Sequence, residues 1–169
     1  LKLFFVNGMT RAQIARVLAI PAKKFTRTLV PFMSRPEVDA LLAAPDQQTW
    51  SGRRDHAFML IAVQTGLRLS ELTGIRRDDV ILGTGSHVRV IGKGDRERMV
   101  PVGDVAIAAI TRYLAAVREP WLRAAHDRGV APDHERRGGP LFLSTRGRRL
   151  GRMEAWRVVQ RAATGAGLR

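Results

Sequence analysis

One island of strand-like alternation inside an otherwise helical chain most restricts what these 169 residues can build. His87-Val88-Arg89-Val90-Ile91 alternates or is continuously β-branched, and Gly92-Lys93-Gly94-Asp95 carries turn chemistry. Glu97-Arg98-Met99-Val100-Pro101-Val102 then returns as a second strand. The pattern predicts a β-hairpin with Lys93 at or beside its tip.

Around the hairpin the period is helical. Ser34-Arg35-Pro36-Glu37 is a capping box, and Val38, Leu41 and Leu42 give the buried face of the short helix that follows, closed at Pro45-Asp46. Gly52 to Gln64 reads as a second helix, with Phe58, Leu60 and Ile61 inward and Arg53, Arg54 and Asp55 in a polar first turn. Thr65-Gly66 breaks it, and a short helix runs from near Ser70 to Gly74. From Asp104 the helical period resumes through Ile107, Ile110, Tyr113, Leu114 and Val117. A Gly-, Pro- and charge-rich loop covers Gly129 to Pro140, and Leu141-Phe142-Leu143 is a short extended piece. A last helix spans Arg152 to Ala163, with Trp156 and Val159 among its apolar positions and C-cap chemistry at Gly165 and Gly167. Helices around one small antiparallel hairpin or sheet, without strand–helix alternation, make a mostly α, α+β domain.

The first thirty residues form a separate arm. Thr10-Arg11-Ala12-Gln13 has capping-box form, and Ile14, Val17 and Leu18 share one helical face. Pro21 stops the helix, and Lys23, Lys24 and Arg27 follow in a basic linker. Met9 to Arg27 also has the outline of half a helix-turn-helix, with Ala19 where the turn prefers glycine.

Charge narrows the partner. Lys and Arg number 29 against 15 Asp and Glu, a net of +14. The excess runs through the whole chain, so the folded body itself is basic, which favours a polyanion and above all nucleic acid. A GC-rich genome accounts for 25 Arg against 4 Lys, but not for the excess over acids. Without cysteine there is no disulfide framework and no thiolate nucleophile or metal site, and a bacterial-type cytoplasm is the expected compartment. No apolar run approaches the ~18 residues of a membrane span.

Familiar catalytic patterns fail. Gly92-Lys93-Gly94 is not a phosphate loop: His87 and Val88 stand where its first glycine belongs, Gly94 replaces Ser or Thr, and a strand follows in place of a helix. The four histidines show no His-x-x-x-His spacing, which argues against zinc, and no Gly-x-Ser-x-Gly elbow is present. Two residues remain. Arg68, within Thr65-Gly66-Leu67-Arg68-Leu69-Ser70-Glu71-Leu72, sits between apolar helices and needs a carboxylate or a bound anion. Glu71, three residues on, is the structural partner at hand. Lys93 is the only lysine after Lys24, in a stretch holding 23 arginines. It differs from them in being able to release a proton, while a solvated turn lysine is the plainer alternative.

Thr65 to Leu72, and Gly92-Lys93-Gly94-Asp95-Arg96-Glu97-Arg98-Met99-Val100-Pro101, resemble two signatures of the tyrosine recombinases, the phage-integrase family. Pro31 to Asp46 resembles the entry to that family's catalytic domain. Pro140 to Leu150 and the helix at Trp156 resemble the segment before its next signature, and Ala15 to Lys24 the linker from a DNA-clamping domain. The resemblance covers residues 31–169 in order. It implies residues 1–30 as the arm and 31–169 as a partial catalytic domain, truncated at its C-terminus.

The resemblance also implies chemistry. Such enzymes cut one DNA strand with a tyrosine, form a 3′-phosphotyrosyl link and reseal with a 5′-hydroxyl, using no metal or other cofactor. Arg68 is expected to hold a non-bridging phosphate oxygen, Lys93 to protonate the leaving 5′-oxygen, and Glu71 to support Arg68. Lys23, Lys24, Arg96, Arg98, Arg146, Arg148 and Arg149 are the expected DNA contacts. Duplex DNA is the expected partner, a tetramer on DNA the expected assembly of a full-length protein, and no membrane is involved. The family's next signature, His-x-x-Arg followed by the nucleophilic tyrosine, does not follow Leu150. The sole tyrosine, Tyr113, lies upstream on an apolar helix face and reads as core. The chain alone is therefore expected to be inactive. The alternatives are a non-enzymatic DNA-binding protein derived from an integrase fragment, and an unrelated helical nucleic-acid binder reading through Thr10–Arg27.

Overall fold

The computed structural model describes residues 10–19, 32–92, 94–127 and 138–168. Two units separate by their contacts, Leu1–Phe32 and Met33–Arg169. In the first, helix α1 (Arg11–Leu18) starts at the expected box. The Thr10 amide donates to Gln13 Oε1 at 2.8 Å and the Gln13 amide to Thr10 Oγ1 at 3.4 Å. Leu18 is exposed. The linker with Lys23 and Lys24, and the second half of the helix-turn-helix outline, lie outside the described residues.

The second unit carries α2 (Arg35–Ala43), α3 (Trp50–Thr65), α4 (Leu69–Gly74), β1 (Val80–Ile81), β2 (His87–Ile91), β3 (Glu97–Pro101), α5 (Asp104–Tyr113), α6 (Glu119–Asp127) and α7 (Arg152–Gly165). At the start of α2, Glu37 accepts from both the amide and the hydroxyl of Ser34, at 2.6 and 2.7 Å. Those bonds hold its carboxyl below the usual range. Thr49 caps α3 by accepting from the Gly52 amide at 3.0 Å, and Gly66, at φ 61°, ends that helix in the left-handed conformation open to glycine.

The sheet is antiparallel in the order β1-β2-β3, with Val80 opposite Val88, Val90 opposite Arg98 and Val88 opposite Val100. The sequence foresaw β2 and β3. It missed β1, whose two residues are too few to show a period, and α6, which continues α5 through a π-type turn at Leu114–Arg118.

The core gathers Phe58 and Ile61 from α3, Ile110 and Tyr113 from α5, Val88 and Val90 from β2, and the extended segment Leu141-Phe142. Phe142 meets Phe58 edge-on at 5.2 Å and stacks on Tyr113 at 5.6 Å. Each such fully buried side chain removes apolar area worth about 1.5–3 kcal/mol from water. The Tyr113 hydroxyl donates to the Leu141 carbonyl at 3.0 Å and accepts from the Leu143 amide at 3.1 Å. It satisfies two backbone groups that would otherwise be stranded beside the rings.

Two expectations are corrected, one at the start of α3 and one at the end of α7. Arg54 and Asp55 are not a solvated first turn but buried. Arg54 Nη2 lies 2.7 Å from Asp55 Oδ1, its Nη1 donates to the Leu143 carbonyl at 2.8 Å, and its guanidinium lies over the Trp50 ring. This ion pair ties α3 to the extended segment, a need that helical period cannot reveal. Trp156 and Val159 do not face the core. They are exposed with Met153, because Ala155, Val158 and Ala162 take the buried side of α7. Gly165 is the last residue of α7 rather than its cap, and Gly167, at φ 71°, makes the turn.

Candidate functional site: a paired arginine and carboxylate under the hairpin turn

Arg68 is the residue before α4, with extended backbone (φ −63°, ψ 149°). Glu71, in the first turn of α4, reaches back to accept from the Arg68 amide at 2.9 Å. This is the carboxylate half of a capping box, and it fixes the backbone that carries Arg68. The guanidinium makes only a long contact with the same carboxylate, 3.4 Å from Nη1 to Oε1.

Exposure reverses the expectation drawn from the apolar neighbourhood. The Arg68 side chain is 77% exposed, whereas that of Glu71 is 6% exposed. Glu71, not Arg68, has the covered side chain. It is neutralised from across the fold by Arg98 on β3, which donates from Nη1 to Oε1 at 3.0 Å and from Nη2 to Oε2 at 2.9 Å. The Arg98 fork first, and the Arg68 amide second, hold the Glu71 carboxyl down at about 2. The same bonding raises the Arg98 guanidinium above its usual value.

The hairpin turn lies against this pair. The Gly92 amide donates to the Arg96 carbonyl at 2.9 Å, closing a loop that includes Gly94 and Asp95 at φ 77° and 60°. A Cβ on Gly92 would come within 3.0 Å of Arg98 Nη1 and 3.7 Å of Glu71 Oε1, so the glycine permits the approach. Behind it, Arg89 on β2 donates to Asp79 Oδ1 from Nε at 3.1 Å and Nη2 at 2.8 Å, fastening the hairpin to the turn after α4. Lys93 lies outside the described residues, between Gly92 and Gly94 of this turn.

The other expected contacts fall in two places. Arg96 is exposed in the hairpin turn, while Arg98, 43% exposed, is engaged with Glu71. Arg146, Arg148 and Arg149 are exposed on a second tight turn. There the Ser144 amide donates to the Arg148 carbonyl at 2.8 Å, and the Gly147 amide to the Ser144 carbonyl at 3.0 Å. Sequence reasoning passed over Arg118, buried in the π-type turn. It donates to the Pro140 carbonyl at 3.1 Å, to the Gly138 carbonyl and to Glu119 at 2.7 Å. It also passed over His134-Glu135-Arg136-Arg137, which has His-x-x-Arg spacing but precedes Pro140 and lies outside the described residues.

A helical domain with a small three-stranded sheet, and an exposed arginine beside a hairpin turn, define the class. The structure superposes on XerA recombinase with a TM-score of 0.62 at 22% identity, over 84% of this chain and 45% of that one. A lambda integrase dimer bound to a COC′ core site matches with a TM-score of 0.59 at 20% identity, over 94% of this chain and 54% of that one. The fold is thus that of a tyrosine-recombinase catalytic domain. Residues 31–169 match the phage integrase family, and the chain belongs to it. The integrase/recombinase y4rC of Sinorhizobium fredii is 58% identical over 139 residues, 82% of this chain and 37% of that protein. Tyrosine recombinase XerD of Staphylococcus aureus is 31% identical over 150 residues, 89% of this chain and 47% of that protein. The chain therefore spans less than half the length of these two relatives.

Proposed function

We propose that this chain is the phosphate-holding part of a site-specific DNA recombinase that works through a phosphotyrosyl intermediate. The observation that carries the reading is the division of labour at Glu71: its charge is met by Arg98, so the Arg68 guanidinium stays exposed and available to an anion. Arg68 then holds a non-bridging oxygen of the scissile phosphate and stabilises the charge of the transition state. Lys93 delivers a proton to the leaving 5′-oxygen, the one step in this set that an arginine cannot perform. Arg96, Arg146, Arg148, Arg149, Lys23 and Lys24 contact backbone phosphates. The partner is duplex DNA, and the complete protein assembles as a tetramer on it. Support for that assembly comes from a solved relative, a lambda integrase tetramer bound to a Holliday junction.

These 169 residues by themselves bind DNA without cutting it. The burial of Tyr113, the sole tyrosine, favours this non-enzymatic reading of the isolated chain. Titrating a labelled duplex at several salt concentrations tests the binding. Affinity is expected to fall with a log–log slope of roughly −0.9 per neutralised phosphate. Reductive methylation then locates the contact, because Lys93 is one of only four lysines. Duplex is expected to protect Lys93. Binding indifferent to salt, or a bound complex in which Lys93 reacts as in free protein, would sink the reading.

A further inference from the structure

The sequence places Arg98 among residues that touch DNA, but strand geometry gives it another task. Successive side chains of a strand point to opposite faces. Arg98 is paired with Val90, two residues from Val100, on the face that buries Val88 and Val90. Its stem therefore leaves the sheet toward the body of the domain, and its guanidinium arrives at the covered carboxylate of Glu71 as a two-bond fork. A planar fork fixes orientation as well as distance, which a single ammonium contact does not.

We propose that Arg98 is a positioning residue that seats the Gly92–Arg96 turn on the N-terminus of α4 and keeps the Glu71 charge off Arg68; this rests on the phosphate-holding role of Arg68 proposed above. Two features make the seat specific. Gly92 is close enough to Arg98 Nη1 that a Cβ would crowd it, so turn and fork are packed together. Glu71 accepts from Arg98 on both oxygens and from the Arg68 amide, which leaves the Arg68 guanidinium, among the described residues, only the 3.4 Å contact. With Arg98 removed, the covered carboxylate has the Arg68 guanidinium as its nearest replacement. That pairing draws Arg68 away from a phosphate.

The test uses this chain with Arg98→Met, the milder Arg98→Lys, and Arg98→Met combined with Glu71→Gln. Backbone amide exchange reports the seat without DNA. Exchange at Gly92 is expected to quicken about tenfold or more in Arg98→Met, and by a smaller factor in Arg98→Lys, while α3 and α5 amides keep their rates. Unchanged exchange at Gly92, or acceleration spread equally over the domain, overturns the positioning role.

Duplex affinity reports the shielding. Arg98→Met is expected to weaken binding, and Glu71→Gln in the same chain to recover part of the loss. A double variant that binds no better than Arg98→Met overturns the shielding. Failure of the unsubstituted chain to bind duplex would strike the phosphate-holding function, while Gly92 exchange would still decide whether Arg98 seats the turn.

Discussion

Gly147 packs against the six-membered ring of Trp121, so close that a Cβ built on it would fall 1.6 Å from Cη2 and 2.2 Å from Cζ3. Its φ of 73° also belongs to the region side chains avoid. The turn that displays Arg146, Arg148 and Arg149 is thus pressed onto α6. Gly147→Ala forces ring or turn to move and is expected to cost at least about 2 kcal/mol, at the upper end of overpacking effects. Urea denaturation measures it. A variant as stable as the parent would show that the turn is not pinned there.

Tyr113 is built into the core by both its ring and its hydroxyl. Burial pushes the hydroxyl up to about 12. Tyr113→Phe leaves the Leu143 amide without its acceptor and is expected to destabilise the fold by about 1–3 kcal/mol. Duplex binding should be unchanged. A nicked suicide substrate is expected to trap no covalent adduct with either form. An adduct that disappears in Tyr113→Phe would remove Tyr113 from a purely structural role.

Acid should reach the seat of the hairpin turn through Glu71. Its carboxyl moves from 4.5 to about 2 on folding, so the stabilisation is fully present above 4.5 and is lost as the pH falls toward 2. Stability measured between pH 5 and 2 is expected to fall less steeply in Glu71→Gln than in the parent. Parallel pH curves would show that Glu71 contributes nothing to the acid limb.

In a protein that joins this chain to the tyrosine-bearing segment of its family, Arg68 and Lys93 should fail differently. Arg68→Ala is expected to lose about 3–4 kcal/mol of transition-state stabilisation, the scale of one strong oxyanion donor, with little rescue by Arg68→Lys. Lys93→Ala should recover most of its cleavage rate on a 5′-bridging phosphorothiolate, whose sulfur leaves without needing a proton. Equal recovery by both variants, or none by Lys93→Ala, would return Lys93 to a solvated turn.

Periodicity, capping residues and turn chemistry made α2, α3, β2, β3, α5 and α7 legible in the sequence, because those signals act within a few residues. The order of the two signatures around Arg68 and Gly92-Lys93-Gly94 was legible in the same way. What the sequence misread depends on residues far apart in it. The apolar neighbours of Arg68 suggested a buried guanidinium, yet it is the Glu71 side chain that the tertiary fold covers, because Arg98 arrives from 27 positions away with two donors. Arg54 and Asp55 looked like a solvated helix start until Leu143, 89 positions from Arg54, supplied the carbonyl that makes their burial tolerable. Trp156 and Val159 were legible as apolar positions of α7, but which side of that helix is buried was not, and the fold gives it to Ala155, Val158 and Ala162. Which elements form is decided locally by period and caps. Which charge is buried is decided only when distant strands and helices bring its partners within hydrogen-bond reach, since a charge without them cannot leave water.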